Sequence, residues 1–300
     1  GAEMLMSTLK SLAKAGYCII VIEHRLDVVL PFVDKVFHVG NRNVNEITDR
    51  ENYLKEQSTE IEDTCSTFSG TLPAFSLADV AFAVKERDIL NGVTFDILKG
   101  SRTVLLGENG CGKTTLLRLI SRLEKPTRGV ILQNIDDKFG QKSKQSKKWY
   151  KKVGVVYQNP DYQLFMQTVE KEIKFGAKSD EYADEIAEKF GIKHLYARHP
   201  QSLSEGQKRR VSIAAVVATD PEVLILDEPT VGQDYKGLCE MVEVLNKLHE
   251  EAHNTMITVT HDKRCAAALC DKSVWIKNGK TYKTGGKELV DEFFIQIGVN

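Results

Sequence analysis

RTVLLGENGCGKTTLLRLI, residues 102–120, is the stretch whose reading decides the fold. The apolar run Thr103–Leu106 reads as a strand, and the spacing of Leu116, Leu117 and Ile120 reads as the apolar face of a helix. Between them Gly107-Glu108-Asn109-Gly110-Cys111-Gly112-Lys113-Thr114 fits G-x-x-x-x-G-K-[ST] in the strand–loop–helix context that this pattern requires. Glycines let backbone N–H groups turn inward around phosphate oxygens, and the helix start adds roughly half a positive charge aimed at the anion. On this reading Lys113 reaches the outer phosphates of a nucleotide and the Thr114 hydroxyl ligates magnesium. Gly107, Asn109, Gly110, Cys111, Gly112 and Thr115 complete the cradle.

Downstream, EVLILDEPT, residues 222–230, is an apolar strand that ends in two acids, Asp227 and Glu228. Two carboxylates at a strand tip are costly unless a cation or a reacting water needs them. Asp227 suits the magnesium shell, and Glu228 suits the position that orients and activates an attacking water. Between loop and strand, QSLSEGQKRRVSIAAVVA, residues 201–218, reads as a helix capped by Ser204, with Val211, Ala214, Ala215 and Ala218 on its apolar face. A second strand-like run, MITVTHD at 256–262, closes on His261.

Taken together, these segments resemble the ATP-binding cassette (ABC) ATPases over essentially all of residues 70–290. GENGCGKTT is similar to the P-loop of that family and LSEGQ to its signature motif. LILDE is similar to the strand of the magnesium ligand and catalytic glutamate, and TVGQD to the D-loop. The resemblance makes His261 the histidine that senses the γ-phosphate and Gln158 the Q-loop glutamine, which also meets the metal. It implies an α/β P-loop fold with a RecA-like core, an antiparallel β-subdomain and a helical subdomain. It further implies ATP and Mg2+ as ligands, with Ser204, Gly206 and Gln207 contributing to the nucleotide site of a facing cassette. YQNPDYQLFMQTVEKEIKFG, residues 157–176, looks like the Q-loop region of energy-coupling factor and cobalt-type importer ATPases. That likeness implies a motor subunit that powers import of a vitamin or transition-metal ion and lies peripherally on the cytoplasmic face of the membrane. Tyr162, Leu164 and Phe165 would then touch transmembrane transporter subunits. The competing reading is a soluble tandem cassette acting on ribosomes. The sequence departs from the family at Glu205, where glycine is common and glutamate is read as tolerated, and at Val84, where an aromatic usually stacks on adenine.

Composition agrees with a soluble globular protein: 300 residues, 42% hydrophobic, 28% charged, formal net charge −1. That charge gives no global pull toward nucleic acid, and no direct nucleic-acid partner is expected. The six cysteines form no C-x-x-C pair, as suits a reducing compartment. Cys111, inside the loop, is read as a thiol whose alkylation would block nucleotide binding. The basic run at 142–152 reads as a solvated helix face, and the spacing of Tyr182, Ile186 and Phe190 reads as a packed helix.

One feature lies upstream of this module. CIIVIEHRLD, residues 18–27, repeats the pattern of a β-branched run, histidine and charge seen at 256–262, and His24 and His261 stand 237 positions apart. The same offset carries Asp34-Lys35 onto Asp271-Lys272, and Asn41 onto Asn278. Residues 1–48 are therefore expected to be the C-terminal remnant of a first cassette, 49–70 an interdomain linker, and 71–300 a complete cassette. The second cassette needed for a composite ATP site would be the missing first half or another copy of this chain.

Overall fold

The computed structural model describes residues 2–23, 29–40, 43–57, 68, 70–85, 87–135 and 147–298. The chain divides into two compact units, Gly1–Ile61 and Glu62–Asn300.

In the larger unit, two long strands, β3 (Pro73–Val84) and β4 (Arg87–Leu98), form an antiparallel hairpin. β6 (Arg128–Gln133) pairs on the other edge of β3, giving a three-stranded sheet. The principal sheet has six strands in the order β11-β10-β5-β9-β8-β7. Its members are β5 (Arg102–Leu106), β7 (Val153–Val156), β8 (Val223–Asp227), β9 (Thr255–Val259), β10 (Lys272–Lys277) and β11 (Lys280–Gly285). All are parallel except β11, which returns from β10 as a hairpin. Every residue of β5, β8 and β9 is buried, as expected of parallel strands covered on both faces. Within β5 the alternation sorts the faces: Leu105 joins one core cluster, while Val104 and Leu106 join the other with Trp275, Phe293 and Phe294.

Helices cover the sheet and supply a separate helical portion. They are α3 (Lys113–Ile120), α4 (Lys147–Lys152), α5 (Val169–Lys174), α6 (Asp180–Lys189), α7 (Glu205–Val217), α8 (Tyr235–Ala252), α9 (Lys263–Ala268) and α10 (Lys287–Gln296). Fold class thus matches the sequence expectation. The basic run does form a helix at α4, yet Trp149 within it is buried and donates its indole N–H to Gln133 Oε1 at 2.7 Å, so that turn is not wholly a solvated face. Residues 142–146 lie outside the described ones. Below the sheet, Arg102 and Asp271 form a buried ion pair at 2.7 Å, completed by Asn246 Oδ1 at 2.7 Å from Arg102.

The smaller unit holds α1 (Ala2–Lys14), the hairpin β1 (Phe37–Gly40) and β2 (Asn43–Glu46), and α2 (Arg50–Gln57). The expected strand across Cys18–Ile22 does not form: among the described residues, 17–23 take no sheet pairing, and Ile20 and Ile22 are 86% and 88% exposed. His24 and Asn41 fall outside the described residues. Segment 49–70, expected to be a linker, begins with α2 instead, whose Arg50 donates to the carbonyls of Val33 and Asp34. The 237-residue offset extends through these elements. It carries Phe37 of β1 onto Val274 of β10, Asn43 of β2 onto Lys280 of β11, and Arg50 of α2 onto Lys287 of α10.

Candidate active site

Strand order assembles the site. Because β9 lies between β5 and β8, the segments leaving their C-terminal ends emerge side by side: the glycine loop after β5, His261 after β9, and Glu228 after β8. Such strand ends are where ligands bind in open α/β sheets. β7, at the sheet edge, delivers Gln158 to the same place.

The loop is held in conformations that only glycine accepts easily. Gly110 and Gly112 have φ of 80° and 105°. A Cβ on Gly112 would also come within 2.6 Å of Leu90 Cδ2, and one on Gly107 within 2.5 Å of the Ile276 carbonyl oxygen. α3 starts from Gly112 without a side-chain cap, so the helix N-terminus stays open toward an anion. Lys113 folds back over the loop and donates to the carbonyls of Gly107 and Glu108 at 2.6 and 3.0 Å. Burial pulls its pKa down, while the charges of Cys111, Glu228 and Asp227 oppose that shift.

A cavity of about 490 Å³ opens over this loop. It is lined by Asn109, Gly110, Gly112, Lys113, Thr114, Thr115, Gln158, Asp227, Glu228 and His261, ten of the residues singled out in the sequence. Gly107 and Cys111 are not on its wall; Cys111 lines an adjoining hollow with Trp275 and Lys277. The Cys111 thiol is half-buried, and burial pushes its pKa up. Val84 lines the cavity and Phe82 does not, so among the described residues no Phe, Tyr or Trp stands on its wall; Arg87 and Ile89 are there instead.

Asp227 is buried and within hydrogen-bonding reach of Thr114; burial raises its pKa, and Thr114 and Arg209 oppose the rise. Glu228 has φ of 56°, a left-handed conformation that costs a non-glycine residue about 1–2 kcal/mol. Its amide donates to the Val259 carbonyl at 2.8 Å, and its Oε2 accepts the His261 amide at 3.2 Å. Its other oxygen, Oε1, is buried with no hydrogen-bond partner among the described residues and lies 3.5 Å from His261 Nε2. Burial, relieved in part by the His261 amide and reinforced by Asp227, pushes the Glu228 pKa up to about 7. Burial and the Lys113 charge push the His261 pKa down, which favours the neutral imidazole. A strained, desolvated carboxylate with one free oxygen beside a phosphate cradle is equipped to take a proton from water.

The ABC transporter family profile matches residues 90–231, spanning the loop, the α7 segment and the Asp-Glu strand. The chain is 40% identical over 221 residues to the energy-coupling factor transporter ATP-binding protein EcfA2 of Enterococcus faecalis, covering 68% of this chain and 74% of that one. The chain belongs to the ABC transporter ATPases. The putative HMP/thiamine import ATP-binding protein YkoD of Bacillus subtilis is 30% identical over 297 residues, covering 85% of this chain and 54% of that protein. Among solved structures, cbiO1 from Clostridium perfringens, part of the ABC transporter complex cbiONQ, superposes with TM-score 0.65 at 32% identity. That match covers 74% of this chain and 92% of cbiO1. An ATP-binding cassette solved as a dimer with ADP and Pi gives TM-score 0.63 at 25% identity over 71% of this chain and 98% of that one. ATP binding and hydrolysis are therefore the activity of this ABC ATPase site.

Ser204, Gly206 and Gln207 do not reach the cavity. They form the start of α7, where Ser204 Oγ accepts the Gln207 amide at 3.3 Å and Gln207 Oε1 accepts the Ser204 amide at 3.2 Å. Gly206 packs against the D-loop, its carbonyl accepting from Gln233 Nε2 at 2.8 Å. Sequence reasoning missed two residues that shape the Q-loop. Arg209, buried in α7, donates to the Tyr157 carbonyl at 2.6 Å and to that of Gln158. Glu172, buried in α5, accepts the amides of Phe165 and Met166 at 2.9 and 2.7 Å. An acid inside the otherwise apolar spacing of TVEKEIKFG was the available signal for the second. The Q-loop turn exposes Tyr162 and Phe165, and Phe165 meets Phe175 edge to face; Leu164, expected beside them, is buried.

Proposed function

We propose that this ABC ATPase is the motor of an importer of the energy-coupling factor type, peripheral on the cytoplasmic face of the membrane and joined to separate transmembrane subunits. The observation that carries this reading is the loop from Gln158 to Phe165. One end lines the ATP cavity and the other presents Tyr162 and Phe165 to solvent. A nucleotide-dependent shift of Gln158 is thereby transmitted to an exposed aromatic surface. The names of EcfA2 and cbiO1 support the same class, and vitamin and transition-metal cargo are equally compatible with it. Among the described residues no helix is long and apolar enough to cross a membrane.

Mg2+ fits the donors present. Asp227 is buried within hydrogen-bonding reach of Thr114, and both line the cavity with Gln158, which suits an ion held by one carboxylate, a hydroxyl, an amide and substrate phosphates. Asp227, Thr114 and Gln158 would hold it. Once bound, it would neutralise phosphate charge. Lys113 and the α3 N-terminus bind and orient the phosphates, Glu228 takes a proton from the attacking water, and neutral His261 contacts the γ-phosphate.

The unit Gly1–Ile61 is best read as the C-terminal part of a like module, since the hairpin and the helix after it recur at one offset. The match to YkoD, longer than the second unit alone, supports that reading. Hydrolysis then requires a facing cassette, in another copy or another chain, to bring a signature helix to this P-loop. Reconstitution tests the whole. Tyr162→Ala/Phe165→Ala should retain ATP binding and lose co-purification with the membrane subunits. Undiminished co-purification would refute the docking role, and co-purification with ribosomes would move the chain to the other class.

A further inference from the structure

Lys208 is a cation shared by two acids. Its Nζ lies 2.9 Å from Asp161 Oδ1 and 3.1 Å from Glu205 Oε1, and its side chain is only 10% exposed. Glu205 is the first residue of α7, and Asp161 stands in the Q-loop turn Pro160–Tyr162. Both acids hold the ammonium pKa above its ordinary value, Asp161 the more strongly.

The arrangement addresses a conflict created by Glu205. The amides of the first turn of a helix have no intrahelical acceptors, and they attract anions. A carboxylate beside them suits the helix itself but repels an incoming phosphate. Its effect depends on where it is held. Lys208, three residues on and therefore on the same helical face, draws the carboxylate back along α7 and compensates its charge. On the D-loop side Gly232 leaves little spare room, since a Cβ there would lie 3.4 Å from Glu205 Cβ. Asp161, 47 residues upstream, anchors the lysine from the loop that carries Gln158.

We propose that Lys208 is a positioning residue that makes Glu205 compatible with a phosphate-facing helix start, and that its bond to Asp161 links this hold to the Q-loop. The inference rests on the reading that the start of α7 faces the triphosphate bound by a second cassette. It assigns Glu205 a managed role where the sequence suggested mere tolerance.

The test is ATP-driven self-association of the full chain carrying Glu228→Gln to slow hydrolysis, followed by light scattering. Lys208→Gln should raise the ATP concentration for half-association about tenfold, because the uncompensated carboxylate then meets the phosphates. Adding Glu205→Gly should restore it to within about twofold, since the two residues act on one charge. Lys208→Arg should behave as the parent. An unshifted Lys208→Gln, or a double variant no better than the single, overturns the proposal and leaves Lys208 as a local ion-pair residue. A parent chain that never self-associates with ATP rules out a second copy as the facing cassette and overturns this inference, while a facing cassette in another chain would stand.

Discussion

Two runs of similar residues, CIIVIE at 18–23 and MITVTHD at 256–262, meet opposite fates. The second supplies β9, paired on both edges by β5 and β8, with every residue buried. The first takes no strand pairing and turns Ile20 and Ile22 to solvent. β-branched residues make a strand possible, but neighbours on both sides make it real, because strand propensity is largely packing against a sheet. The hairpins sharpen the point. β1–β2 and β10–β11 form at equivalent positions, since a hairpin carries its own partner, whereas a parallel strand depends on elements distant in sequence.

The broadest challenge to that contrast is hydrogen exchange. Amides of 256–259 should exchange only on global opening, and those of 18–22 at least about a thousandfold faster. Equal protection in the two runs would mean that the first has found a sheet after all.

Chemistry separates the regions next. Glu228→Gln removes the proton acceptor facing His261 while preserving shape, so hydrolysis should fall about 10²–10⁴-fold with ATP binding retained. If single-turnover hydrolysis fell less than threefold, the catalytic assignment of the β8 tip would be wrong.

Packing comes third. Ile257 is fully buried between core residues, and Ile257→Ala should cost about 2–5 kcal/mol in urea unfolding. Ile22→Ala should change stability by less than about 0.5 kcal/mol. Both tryptophans, Trp149 and Trp275, lie in the larger unit, so their fluorescence follows the first variant's unfolding directly. Matching losses at the two sites would erase the distinction.

How much was legible depended on whether a residue's role is local. The P-loop, the Asp-Glu tip and the α7 cap could be read because each is set by a short stretch whose geometry follows from its own residues. Glycines at 110 and 112 sit where positive φ demands them, and Ser204 with Gln207 closes a capping box four residues long. Arg209 and Lys208 could not be placed that way. Each is an ordinary charged helical residue whose meaning comes from a loop elsewhere in the chain, which only folding brings within bonding distance. The failed strand at 18–22 is the converse: its local signal was strong, and the pairing a strand needs is not a local property. Leu164 makes the same point within a single loop, buried between two exposed aromatics that the sequence could not distinguish from it.

The smallest expected effect concerns the proton on Glu228, and its sign follows from burial. In the proposed mechanism Glu228 is the base and works only when deprotonated, and its pKa is raised to about 7. Activity of the free enzyme, as kcat/KM, should therefore hold above that value and fall as pH drops through it, approaching tenfold per unit on the acid side. Burial and Lys113 lower the His261 pKa, which moves its titration away from that of Glu228. The limb should vanish from the residual activity of Glu228→Gln. A midpoint in the ordinary carboxylate range would mean that water reaches the tip of β8. The catalytic carboxylate would then be as open to solvent as Ile22, and the contrast between the two runs would stop short of the site it was meant to explain.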